Sequence, residues 1–168
     1  MSTSLYDLTI PVFIRGLNAL SQILEKGRTY AQEQGIDSTD LLATRLTADM
    51  APITAQIQRA SDTAKGTAVR IGKIENVVFE DNEASFDDLQ ARIGKTIAFL
   101  EAVPRSAMEG READEVILTT PNREIAFTGQ SYALSFAIPN FFFHMTTAYA
   151  LLRHRGVPIG KLDYLGSA

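Results

Sequence analysis

From Ile125 to Leu152 the chain carries no formal charge, and Arg153 and Arg155 follow at once. An apolar segment of that length gains by leaving water, so either lipid or the rest of the protein must cover it. Lipid is a poor cover, because Gly129, Gln130, Ser131, Asn140, His144, Thr146 and Thr147 lie inside the segment and would need hydrogen-bond partners there. A helix at the centre of a bundle explains the same lack of charge. The segment is therefore expected to be a core helix of a protein that does not enter a membrane.

Helices able to surround it are legible upstream. Leu5, Leu8 and Val12, then Phe13, Leu17, Leu20 and Leu24, recur by threes and fours, which places them on one helical face. The first helix is expected from about Ser4 to Gln34, with Pro11 near its first turn or at a kink, and with Gly35 as its stop. Asp37, Ser38 and Asp40 can start a short helix. Leu46, Met50, Ile53, Ile57, Ala60, Ala64 and Ile71 keep nearly a heptad rhythm and predict a second long helix, whose small residues let a neighbour approach closely and which Gly72 ends. Ser85 and Asp88 have the spacing of a capping box before a third helix bearing Phe86, Leu89, Ile93, Ile97 and Leu100. Pro104 marks its end.

Between Glu115 and Thr128 the period changes. VILTT and REIAF are strand-prone runs parted by Pro121 and Asn122, which predicts a small hairpin leaning on the helices. The last helix begins either near Gln130, with a bend at Pro139, or at Pro139 itself. It ends at Arg153, His154 and Arg155, where positive charge meets the negative helix terminus and Gly156 and Pro158 follow. Ile159, Leu162 and Leu165 are expected to pack back on the bundle. The fold class is thus all-α: a four-helix bundle with a small β-hairpin before the last helix, in one domain over residues 1–168.

Charge and composition narrow the function. A net charge of −4 with no basic stripe disfavours nucleic acid as a partner. The absence of cysteine removes disulfides, thiolate metal sites and a cysteine nucleophile together. The N-terminal residues show no secretory pattern, so a cytoplasmic location is expected. There is no glycine-rich phosphate loop. Ser131 or Ser135 could be drawn with His144 and an aspartate as a hydrolytic triad, but no nucleophile-elbow motif accompanies them.

His144 is the polar residue that the core segment leaves to be explained. On a helix it shares a face with Asn140, Phe141, Thr147, Ala148 and Leu151, which points it inward, where an imidazole needs hydrogen-bond partners. Asp49, Gln56 and Thr63 lie seven apart along the edge of the second helix's apolar stripe. The expected cluster is His144 with Asn140 and with Asp49 or Gln56, in a pocket lined also by Met50, Ile53 and Phe141. Two readings follow: a structural histidine that fixes helix register, or a metal or acid–base site with His144 and Asp49 as its members. His154 would point about 80° away from His144, at about 100° per residue, and serves more simply as a helix-terminus charge.

The patterns ADMAPITAQIQRASDTAKG and FAIPNFFFHMTTAYALLRHRGVPIGKLDYLG resemble the family called domain of unknown function nineteen-ninety-three, over nearly the whole chain. That family is similar to the DinB/YfiT-like four-helix bundles, some of which resemble metal-dependent hydrolases or thiol transferases. The resemblance implies a divalent metal, zinc or nickel, on three histidines: one from the second helix and two spaced HxxxH on the last. The matching last-helix pair here is Asn140 and His144, and the second helix has no histidine. The resulting expectation is a ligand-binding or structural bundle with a degenerate metal site, forming a homodimer and taking a small-molecule ligand. Its rival is a divalent-metal-dependent enzyme using His144 and Asp49.

Overall fold

In the computed structural model, which describes residues 4–166, the first helix α1 spans Leu5–Gln34. Its start is fixed reciprocally: the Asp7 N–H donates to the Ser4 hydroxyl, and the Ser4 N–H donates to the Asp7 carboxylate. Gly35, at φ 64°, closes it. Pro11 sits inside the helix on its exposed side. After the short α2 (Ser38–Leu42), α3 runs Ile53–Gly72 and α4 runs Phe86–Glu101, the latter opened by the expected Ser85–Asp88 capping box.

The second long helix begins later than its apolar rhythm predicts. Residues 43–52 are irregular, Leu46 is 59% exposed and Met50 is only half-buried. Pro52 is the cause: a proline disfavours helical backbone at the residue before it, and Pro52 itself is extended, at ψ 172°, as the cap of α3. Gly72 is the last helical residue and not the stop itself: Lys73, one position later, takes the left-handed conformation at φ 55°.

Strands β1 (Glu115–Thr119) and β2 (Glu124–Thr128) pair antiparallel, with Ile117 opposite Ala126. The hairpin leans on the helices through the buried Val116 and Leu118. From β2 the chain passes straight into α5 (Gly129–Tyr132), and α5, a π turn at Ala133–Ala137 and α6 (Ile138–His154) follow one another with helical dihedrals at both of their junctions. Of the two expected starts for the last helix, the earlier one is found, without a break at Pro139. Proline has no N–H and crowds the carbonyl four residues back, and the wider π turn immediately before it accommodates both effects.

Helix α1 packs on α4 and α6, and α3 packs on the same two, so the four long helices form a square bundle. Phe13, Leu17 and Leu20 from α1 meet Ile57, Ala60 and Ala64 from α3, Ile93 from α4 and Phe141 and Ala148 from α6, all withdrawn from water. Full burial of one such large apolar side chain contributes about 1.5–3 kcal/mol. Gly16 lets α6 come close: a Cβ there would lie 2.6 Å from the Phe141 ring, which stacks obliquely on Phe13 at 4.7 Å. Among the described residues no helix is long and apolar enough to cross a membrane.

The C-terminal segment packs back only in part. Val157 and Ile159 are buried, but Leu162 is 82% exposed and Leu165 is also exposed. Helix α7 (Lys161–Leu165) is held instead by polar contacts: Asp163 pairs with Lys26, and the Tyr164 hydroxyl shares a 2.7 Å hydrogen bond with Thr146. Its apolar contact with the bundle is Tyr164, which meets the Tyr149 ring edge-on at 5.7 Å.

Candidate ligand cleft

The imidazole of His144 is 8% exposed and lies against α3. Its Nδ1 is 2.7 Å from Gln56 Oε1, and the Gln56 amide Nε2 donates in turn to the Ala51 carbonyl at 3.0 Å. The amide's orientation makes Gln56 Oε1 an acceptor, so Nδ1 carries the proton and Nε2 carries a lone pair. Every fully buried polar side-chain atom among the described residues has a partner, whereas Nε2 has none and is therefore open to solvent. Burial, reinforced by the nearby Arg59 charge, pushes the His144 pKa down to about 4, so the ring is neutral at physiological pH.

His144 lines a cleft of about 400 Å³ between α3 and the last helix, with Nε2 as its unpartnered ring nitrogen. Helix α3 contributes Arg59, Asp62, Thr63 and Arg70. The last helix contributes Tyr132, Phe136, Asn140 and His144, four residues at strict spacing of four, and β1 adds Leu118. In a regular α-helix that spacing drifts by about 40° per step, given about 100° per residue. The π turn rotates less per residue and cancels part of the drift, which keeps all four on one wall.

Hydrogen bonds set the cleft floor. Asn140 Nδ2 donates to Thr63 Oγ1 at 2.7 Å, and that hydroxyl donates to the Arg59 carbonyl. Arg70 Nη1 donates to the Tyr132 hydroxyl at 3.1 Å and occupies the space where a Cβ on Gly66 would stand. Burial raises the Tyr132 pKa, against the pull of Arg70. Asp62, at the rim, is drawn the other way, 2.8 Å from the buried Arg92. Its pKa is raised, because desolvation outweighs the attraction of Arg92 and Lys65.

Of the residues expected here, the structure joins His144 to Gln56 and Asn140 to Thr63, with Ile53 and Phe141 buried in the core behind them. Asp49 is not brought to them. It is exposed on the 43–52 connection, where its carboxylate accepts from the Thr47 hydroxyl and that bond lowers its pKa. Met50 shares that connection, and its carbonyl accepts from Arg45. The late start of α3 removes both from the cleft wall. Ser131 is used as a helix cap with Thr128. Arg59, Arg70, Tyr132 and Phe136 were not expected. Their signal was the four-residue spacing leading up to His144 and the return of arginine and threonine along one edge of α3.

No curated protein matches the chain. A solved structure, a DinB family member protein from Shewanella denitrificans, is similar at 35% identity and a TM-score of 0.90, over 98% of this chain and 93% of that one. The model of the family described as domain of unknown function (DUF1993) matches residues 5–165. The chain therefore belongs to the DUF1993 family and has a DinB-like helical fold.

Proposed function

We propose that this DinB-like bundle binds a small molecule in the cleft beside His144 and that the site is a degenerate form of a histidine metal centre. The observation that carries the reading is that His144 lines the cleft while Gln56 holds its Nδ1, which leaves Nε2 without a partner. A structural histidine needs no free acceptor facing a cavity.

The metal that the DinB resemblance implies fits this donor set poorly. Asn140 stands at the matching last-helix position and spends its amide on Thr63, and α3 has no histidine. Among the described residues no group of three histidine, cysteine, aspartate or glutamate side chains could hold a metal ion. Two guanidinium groups line the same cleft, where a cation would be repelled. Metal analysis of protein purified without a nickel column tests this. Neither the wild type nor His144→Ala should hold stoichiometric zinc or nickel. A full equivalent in the wild type that the variant loses would instead support a metal-dependent enzyme of the DinB kind.

The reading includes a homodimer through the outer face of α6. Pro139, Phe143, Thr146 and Ala150 are exposed there at helical spacing, and Phe143 is 55% open to solvent. Sedimentation at micromolar concentration should give twice the chain mass, shifting to one chain mass in Phe143→Glu. A wild type that sediments only as one chain removes the dimer.

A further inference from the structure

We infer that the cleft takes an organic acid that bears a hydroxyl or N–H donor near its carboxylate and an aromatic or branched apolar arm. This rests on the cleft being a binding site, and it names what that site would select.

Three features of the walls converge on this chemistry. Arg59 is exposed at the His144 end of the cleft, and no ion pair of the described residues involves it. A guanidinium is a planar fork of donors that matches a carboxylate, and here it lacks one. The second cation, Arg70, is already committed to Tyr132 by a 3.1 Å hydrogen bond and by its position over the ring, 5.8 Å from the centroid. Arg59 is thus the free anchor. The one carboxylate at the rim, Asp62, is turned to Arg92 and does not neutralise Arg59.

His144 supplies the second feature. With Nδ1–H given to Gln56, Nε2 can only accept, so a ligand reaching it must donate. A fully deprotonated anion such as sulfate or a simple carboxylate has nothing to offer there, whereas a hydroxy acid or an N-acyl amino acid has. Arg59 stands one helical turn after Gln56, the residue that holds His144, so the anion site and the donor site are neighbours on the same end of the cleft.

The third feature is the far half of the cleft, where Phe136, Tyr132 and Leu118 form an apolar wall. Tyr132 is fully buried behind Phe136, 5.6 Å away and tilted by 31°, so the half-buried Phe136 ring is the aromatic surface on which an apolar arm can pack. A purely polar ligand would leave this wall wet.

Titration calorimetry with three probes tests the inference: 3-phenyllactate, 3-phenyllactamide, which lacks the charge, and 3-phenylpropionate, which lacks the hydroxyl. Phenyllactate should bind at least tenfold more tightly than either of the others. Arg59→Gln, an exposed substitution that breaks no hydrogen bond of the fold, should erase the advantage over the amide and leave the advantage over phenylpropionate. Equal or tighter binding of the amide overturns the anion while leaving a ligand cleft in place. No saturable binding of phenyllactate overturns the inference altogether, and the cleft reading then stands or falls on metal content and on ligands of other chemistry.

Discussion

Replacing Arg92 with alanine is expected to cost about 3–5 kcal/mol of folding free energy, the usual penalty for stranding buried charge. Arg92 stands on α4 with only 2% of its surface exposed. Its guanidinium donates to Asp62 at 2.8 Å, to Glu83 at 2.8 Å, to the Ser61 hydroxyl and to the Glu80 carbonyl, and it pairs with Asp81 at 2.9 Å. These partners lie on α3 and on the long connection between α3 and α4, which has no regular structure of its own. One side chain therefore ties that connection to the bundle. Burial would raise the Glu83 pKa, but hydrogen bonds from Arg92 and Gln58 outweigh it and the carboxyl is held below its ordinary value. Asp62 shifts upward, because its desolvation is larger than the attraction of Arg92 and Lys65. Urea denaturation reads the loss directly. Arg92→Lys should recover less than half of it, since an ammonium is a point charge and cannot span three carboxylates. A loss below about 1 kcal/mol for the alanine variant would show that the connection is held by something other than this arginine.

Lowering the pH from 6.5 to 4 should remove up to about 3 kcal/mol of stability through His144 alone, at about 1.4 kcal/mol per pKa unit. The sign follows from the direction of the shift. The folded-state pKa is lowered to about 4 by burial and by Arg59, whereas the unfolded chain titrates near the ordinary value of 6.5. Between those values the unfolded state binds the extra proton, so stability is fully present above pH 6.5 and falls as the pH drops toward 4. Carboxylates such as Asp7, which the Arg105 hydrogen bond lowers to about 2, add their own acid sensitivity below the same window. The comparison that isolates the histidine is His144→Gln, which keeps a donor for Gln56 but cannot be protonated. Urea midpoints measured at pH 7, 5.5 and 4.5 should fall more steeply for the wild type than for the variant. Parallel curves would mean that the ring is solvated and its pKa unshifted, and the neutral acceptor facing the cleft would go with it.

The two predictions bracket the same wall of the bundle from opposite sides. Asp62 stands between Arg92 on one flank and the cleft on the other. Loosening Arg92 should therefore disturb the cleft as well as the fold. Removing the His144 proton site should leave the charge cluster untouched, because no member of that cluster bonds to His144.

Periodicity and local chemistry were enough to read the four long helices, the hairpin and the caps at Gly35 and Ser85, because each depends on residues within a few positions of one another. The inward aim of His144 was legible because a charge-free face must be buried and a buried imidazole must be satisfied, but its partner was left as Asp49 or Gln56, and Asn140, expected beside it, bonds Thr63 instead. Long-range geometry was not legible. The heptad rhythm carried the second helix back to Leu46, but Pro52 delays it to Ile53, and that shift moved Asp49 and Met50 from the cleft wall to the surface. Nothing in the local pattern of the third long helix distinguishes Arg92 from its other charged residues. Only the path of the 73–85 connection brings Asp81 and Glu83 onto it. The unpaired state of Arg59, and the single wall made by Tyr132, Phe136, Asn140 and His144, likewise arise only when the π turn re-phases the last helix against α3. Sequence by itself determined which faces must leave water, since that depends on the side chains alone. Which charges meet once they have done so was decided by tertiary structure, because a pairing between residues far apart in the chain is set by how the helices pack and not by any pattern within one of them.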